Sequence, residues 1–99
     1  MSAGIDKIIH SPARLRIMSI LSALDRDEEV DFTFLKSELN LTDGNLGGHL
    51  IKLEEAKYIR VNKAFVGRKP KSFVSATNKG RAAFEDHVAA LKEIIGDVA

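Results

Sequence analysis

The sequence predicts a mainly α domain carrying one small β-hairpin, an α+β chain of 99 residues. Three observations carry that prediction. Apolar residues recur at helical spacing in four stretches, and each stretch opens on a Ser or Thr placed to cap it. Between Tyr58 and Thr77 the apolar period shortens to two, and the middle of that stretch holds Gly67 and Pro70, the residues of a turn. No repeat, low-complexity tract or linker breaks the order, so residues 1–99 read as a single domain.

Element by element, Ile5-Asp6-Lys7-Ile8-Ile9 reads as a short helix, ended near His10 because Ser11-Pro12 disfavours helical geometry just before it. Ser11 caps the next helix and Pro12 occupies its first position, where no N–H donor is needed. Ala13, Ile17, Ile20, Leu21 and Leu24 form its inner face, widened by Leu15 and Met18, which makes it the central buried helix. Asp25-Arg26-Asp27-Glu28-Glu29 is too polar for a core and reads as a loop, and Val30-Asp31-Phe32 alternates like a short strand. Thr33 is expected to cap a helix buried through Leu35 and Leu39, with Asn40-Leu41 turning out of it. Thr42 caps another, with Asp43 in its first turn where the helix dipole favours a carboxylate, and Leu46, Leu50 and Leu53 on one buried stripe. The pair makes a helix-turn-helix over about 33–56. Ile59 and Val61, then Phe73 and Ser75, alternate with polar neighbours as two strands of a hairpin over about 58–77, with Gly67-Arg68-Lys69-Pro70-Lys71 as its tip. Thr77 caps a final helix over about 78–95, ended by Gly96.

Composition narrows the function. With no cysteine, disulfides, thiolate metal sites and cysteine nucleophiles are excluded, and a cytoplasmic location is expected. Uninterrupted apolar runs of at most four residues are far too short for a membrane span. A chain this short does not enclose the large cleft of most cofactor-dependent enzymes. His10, His49 and His87 lie far apart in sequence and none is paired at helical spacing with another ligand, so packing roles are expected and no metal. No phosphate-cradling glycine loop, nucleophile–base pair or hydrolase motif is present. A non-enzymatic binding module without cofactor is therefore expected.

The net charge of +1 conceals a segregation: residues 25–40 carry −4 and residues 41–71 carry +4. Lys57, Arg60, Lys63, Arg68, Lys69 and Lys71 occur with no acidic residue among them. Such a stretch either meets a polyanion or is a solvated hairpin edge whose lysines block unwanted strand pairing. A capped helix beside a hairpin with a cationic tip has the dimensions for duplex DNA, the helix in the major groove and the tip at the minor groove or backbone.

The runs SPARLRIMSIL, FTFLKSELNLTDGNLGGHLIKLEEAKYI and FVGRKPKSFVSATNKGRAAF resemble the winged-helix family of small archaeal and bacterial transcriptional regulators, related to the MarR and ArsR groups. The resemblance spans nearly the whole chain and implies a winged helix-turn-helix fold with double-stranded DNA as partner. It implies that Thr42, Asp43, Gly44, Asn45, Gly47, Gly48, His49 and Lys52 lie on or beside the groove-facing side. The chain departs from the family at Gly47-Gly48, where relatives usually carry Ser or Thr and then a larger polar or basic residue. Either a partner needs the helix backbone close, or the surface is a relaxed one that binds DNA weakly or binds protein instead.

Among single residues, Asn45 and Lys52 share a face and suit adenine and guanine or phosphate, against a reading as ordinary surface polarity. For His49 half-buried packing competes with a DNA contact. Arg68 suits minor-groove insertion, with Lys69 and Lys71 as phosphate contacts and Pro70 stiffening the tip. Arg14 and Arg16 either touch phosphate or pair with the acidic run, and pairing is favoured. The last helix carries two stripes, Phe84-Val88-Leu91-Ile95 and Ala83-His87-Ala90-Ile94. One docks on the domain and the other, with Ile5, Ile8 and Ile9, is expected to form a homodimer interface. Two recognition helices roughly 34 Å apart would then read an inverted repeat. The competing function is a winged-helix adaptor that binds protein without specific DNA recognition.

Overall fold

The computed structural model describes residues 4–96. In chain order it contains α1 (Pro12–Ser22), β1 (Val30–Asp31), α2 (Phe32–Leu39), α3 (Asp43–Glu55), β2 (Ile59–Val66), β3 (Lys69–Ala76) and α4 (Asn78–Ile95). This is the winged helix-turn-helix that the resemblance implies, built from the helix-turn-helix and hairpin that the spacing predicts.

The segment before α1 is a single turn, not a helix. Asp6 Oδ1 accepts from the N–H groups of Ile8 at 2.8 Å and Ile9 at 3.1 Å, and His10 N–H returns to the Asp6 carbonyl at 2.7 Å. One turn is all that fits before Ser11 becomes extended to cap α1, where its Oγ accepts from Arg14 N. The turn drives Ile9 into the core beside Ile17, Met18 and Leu21 of α1. Around α1 pack α2, α3, β3 and α4, with Leu35, Leu39, Leu46, Leu50, Leu53, Ile59 and Val74 closing the apolar centre.

β1 stops at Asp31, and Phe32 already belongs to α2. Asp31, not Thr33, caps α2: it is extended as a strand residue, and its Oδ1 accepts from Phe34 N at 2.7 Å. A residue leaving a strand already has the backbone geometry that a cap needs, so the acidic side chain captures the role. Asn40 ends α2 in the left-handed region at φ 53°. Thr42 then caps α3, accepting from Asn45 N at 3.1 Å, as expected. Beyond the end of α3 and its cap Ala56, Lys57 is also left-handed at φ 64°, with Lys57 N–H donating to the Glu54 carbonyl and Tyr58 N–H to that of Leu53. Those two bonds are the Schellman pattern, with lysine where glycine is usual.

The three strands lie in the order β1-β3-β2, all antiparallel. Ile59 pairs with Ala76 and Val61 with Val74, so Val74 and Ala76 face the core. Phe73 and Ser75 occupy the other face, opposite to the alternation expected. The adjacent Phe73 and Val74 fit either phase, and only the register chooses between them. The turn is Gly67-Arg68 alone, with Gly67 at φ +66°, the positive first position of a type II′ turn. Lys69, Pro70 and Lys71 belong to β3, where Pro70 lies beyond the reach of β1 and forfeits no bond to it. The hairpin stands away from the body, giving a 52 × 25 × 22 Å molecule with exposed residues from Asn62 to Lys71.

α4 starts under tight constraint. Thr77 Oγ1 accepts from Gly80 N and donates to the Lys57 carbonyl, while Thr77 N–H donates to that of Tyr58. A Cβ on Gly80 would stand 2.7 Å from the Tyr58 carbonyl carbon, so only glycine lets the helix lie against that strand entry.

Candidate nucleic-acid interface

α3 buries its Leu46-Leu50-Leu53 stripe and turns the opposite side outward. Thr42, Asp43, Gly44, Asn45, Gly48 and Lys52 are exposed, with Gly47 and His49 half-buried at the edge. Gly44, Asn45, Gly48, His49 and Lys52 share one flank of α3, while Asp43 faces the wing from the other. The first turn is electrically quieter than its carboxylate suggests, because Lys36 Nζ of α2 stands 2.8 Å from Asp43 Oδ1. An exposed pair of this kind adds little stability. It does cancel a negative charge that would repel phosphate. Lys36 has no local signal for this role, because its pairing depends on the angle between α2 and α3.

The hairpin's cations divide by strand parity. Arg60, Lys69 and Lys71 project from one face of the two-stranded ribbon, Lys63 from the other, and Arg68 sits in the turn. Phe65, 75% exposed, and Val66 flank the tip, an apolar pair to which a sum of charges is blind. A cleft of about 380 Å³ joins this wing to the helices, lined by Asp31, Phe32 and Thr33 at the start of α2, Asp43 of α3, and Pro70, Lys71 and Ser72 of β3. The start of α3 and the base of the wing therefore face one recess.

A second recess, about 240 Å³, lies on the other side of α3 between Arg14, Gly44, Asn45, Gly48, His49 and Lys52. Arg14 does not pair with the acidic run. Its Nε donates to the Ile8 carbonyl and its Nη1 lies 3.1 Å from His49 Nδ1. A guanidinium only donates, so Nδ1 is the acceptor and the neutral imidazole carries its proton on Nε2. Burial, then the nearby charges of Arg14 and Lys52, hold the His49 pKa below its ordinary value. Arg16 also leaves the acidic run alone, its Nη2 reaching the Glu38 carbonyl. The loop is held instead by Arg81 of α4, which donates to the Ser22 and Asp25 carbonyls. α4 crosses α1 near that loop, a juxtaposition with no local signal in the sequence.

The expected dimer surface needs two corrections. Ile9 and His87 are both 0% exposed within one chain, so neither has surface to give a partner. Ala83-His87-Ala90 is the inward stripe of α4, while Phe84, Val88 and Leu91 are half-buried beside it. Ile94 and Ile95, at 64% and 62%, are open, as is Ile5, and Ile8 is half-covered. His87 instead closes an internal chain of polar contacts. Asp6 N–H donates to its Nδ1 at 3.1 Å, and Tyr58 Oη donates to Asp6 Oδ2 at 2.6 Å. Burial, then the neighbouring His10, keep the His87 pKa low against the opposing pull of Asp6. Burial pulls Asp6 upward, but the Tyr58 hydroxyl, the Ile9 and Ile8 N–H groups and His87 together outweigh it and leave the carboxyl below its ordinary value. The Asp6 bond, then burial, push the Tyr58 phenol up to about 12.

The model of the winged helix DNA-binding domain family matches residues 13–95. An uncharacterized protein of Methanocaldococcus jannaschii is 42% identical over 82 residues, 83% of this chain and 86% of that protein. Among solved structures, a transcriptional regulator homologue from Pyrococcus horikoshii superposes with a TM-score of 0.82 at 28% identity, over 92% of this chain and 87% of that one. HlyU from Vibrio cholerae shares the fold, with a TM-score of 0.60 at 24% identity, over 89% and 84% of the two chains.

Proposed function

We propose a function from one premise: the chain belongs to the winged helix DNA-binding domain family. It is a DNA-binding transcriptional regulator, and its finer action is sequence-specific binding of duplex DNA by a homodimer at an inverted repeat. The observation that carries this reading is the recess where the start of α3 meets the base of the wing: its carboxylates Asp43 and Asp31 are matched by Lys36 and Lys71, leaving the charge of Arg60, Lys63, Arg68 and Lys69 on the hairpin beside it. α3 enters the major groove with Asn45 toward base edges and Lys52 toward guanine or phosphate, while Arg68 leads the wing to the adjacent minor groove. Lys69, Lys71 and Arg60 face the backbone. The protein acts by occupying DNA, with no catalytic step. The exposed Ile94 and Ile95 at the end of α4, with Ile5 and half-covered Ile8, supply the apolar surface that a twin subunit would cover.

Selection of bound sequences from random duplex DNA tests this. Enrichment of a two-fold symmetric site is expected, and an unenriched pool would defeat the specific reading. In the same format the double variant Arg68→Ala, Lys69→Ala should lower the log–log salt slope by about 2, close to 0.9 for each phosphate no longer neutralised. An unchanged slope would place DNA away from the wing and favour an adaptor that binds protein.

A further inference from the structure

The glycines of α3 ask for an explanation that the chain itself does not provide. Gly44, Gly47 and Gly48 fall within thirteen residues of helix, where glycine is a poorer former than alanine. A Cβ at any of the three would meet nothing within 4 Å. Among the described residues the positive-φ glycine is Gly67, so backbone geometry does not require these three either. What they provide is clearance toward the outside.

Gly44 and Gly48 stand one turn apart and floor the recess walled by Arg14, Asn45, His49 and Lys52. Two of the walls are permanent cations and none of the six lining residues is a carboxylate. At about 240 Å³ the recess is below the range of whole small-molecule sites and suits a single anionic group belonging to something larger. Arg14 is already aimed: its Nε is anchored on the Ile8 carbonyl, and its Nη1 is engaged only by an imidazole nitrogen. Donors remain on the guanidinium for an oxyanion.

We propose that this recess is a phosphate seat, in which the Gly44–Gly48 floor admits a backbone phosphodiester of duplex DNA against α3 while Arg14 and Lys52 hold it from two helices. The inference rests on the DNA-binding reading and adds to it a second anchoring point, on the opposite side of α3 from the wing. It also gives His49 a part in binding. Arg14 of α1 and Lys52 of α3 are the charged groups that face the imidazole, and both oppose its protonation while the seat is empty. An arriving phosphate draws the Arg14 Nη1–H away from Nδ1. The freed nitrogen takes a proton from solvent, and the imidazolium becomes a further donor beside the anion.

The test pairs stability with binding in the intact protein. Gly48→Ala should raise the melting temperature of the free protein and weaken binding to duplex DNA at least tenfold. Arg14→Gln should lower the salt slope by about one. Wild-type affinity should fall as pH rises from 6 to 8, and the His49→Gln variant should bind with little dependence on pH over that range. A Gly48→Ala protein that melts higher and binds within twofold of wild type would overturn the seat and leave the DNA-binding function standing, as would pH-independent wild-type binding. Should the wild type retain no duplex at all, the functional reading fails, and titration with inorganic phosphate then decides the seat. Shifts of the Gly44, Gly48 and His49 amide resonances would place a free phosphate there, and unmoved resonances would remove the site.

Discussion

Gly80→Ala is the substitution that most directly interrogates how the wing is fixed to the body. The added Cβ would stand 2.7 Å from the carbonyl carbon of Tyr58 and 2.9 Å from its Cα, where ordinary contact begins at 3.4 Å. The carbonyl carbon alone requires α4 and the entry to β2 to separate by about 0.7 Å, and the carbonyl oxygen, closer still, requires more. That movement strains the Thr77 N–H bond to the Tyr58 carbonyl at 3.0 Å and the Thr77 Oγ1 bond to the Lys57 carbonyl at 2.7 Å. Losing both costs about 2 kcal/mol, and the residual overlap adds roughly 1–3 kcal/mol. The better helix propensity of alanine returns about 1 kcal/mol. The net is a destabilisation of about 2–4 kcal/mol, a fall in melting temperature of roughly 10–30 °C for a domain of this size. Thermal and urea unfolding followed by circular dichroism measure it, at equal protomer concentration so that assembly does not shift the comparison. Gly47→Ala, introduced where the Cβ meets open space, should stabilise by about 1 kcal/mol in the same assay. A Gly80→Ala protein melting within 2–3 °C (roughly 0.5 kcal/mol) of wild type would refute the close approach, and a destabilised Gly47→Ala would refute the claim that the α3 glycines are structurally dispensable.

Other perturbations probe the rest of the molecule. Lys57→Gly should raise stability by about 1 kcal/mol, because the left-handed C-terminal position of α3 strains any residue with a Cβ; an unchanged urea midpoint would contradict the strain. In acid, stability should decline in two stages. His87 is held neutral, so its contribution is complete above pH 6.5 and is lost as pH falls below that value. Asp6 is held ionised, so its contribution persists until pH falls below 3.8. His87→Asn, which keeps an acceptor for the Asp6 N–H, should flatten part of the first stage in a pH series of melting curves, and an unchanged profile would clear His87. At the alkaline end the Tyr58–Asp6 bond holds below pH 10 and fails as pH approaches 12, which Tyr58→Phe should abolish. Ile94→Glu with Ile95→Glu should leave the fold intact and give a monomer by sedimentation; a persistent dimer would move the interface off the end of α4.

The two recesses on either side of α3 give the helix distinct duties. Toward the wing, Lys36 offsets Asp43 and Lys71 offsets Asp31, so the cleft between helix and hairpin carries little net charge. Toward α1, the glycine floor and Arg14 place a cation where the approach of a partner is least obstructed. In the proposed complex, phosphate contacts on the α1 side and at the wing would fix the angle of the helix in a groove and free its exposed side chains for choosing bases.

Local chemistry made most of the fold legible. Ser11, Thr42 and Thr77 have one helical use each, and the Leu46-Leu50-Leu53 stripe has one buried side. The six cations from Lys57 to Lys71 announce a positive hairpin in any conformation. Ambiguity began where two local solutions competed. Asp31 displaced Thr33 as a cap because it also ends a strand, and Phe73-Val74 fits either phase until β2 imposes its register. What only the tertiary structure decided depends on distance along the chain: Arg14 beside His49, Lys36 on Asp43, Arg81 holding the acidic loop, and Ile9 and His87 withdrawn into the core. Periodicity reports which side of an element is apolar. Which of two apolar stripes is covered, and which cation meets which partner, follows from how helices cross, and that is set by the packing of the whole core at once.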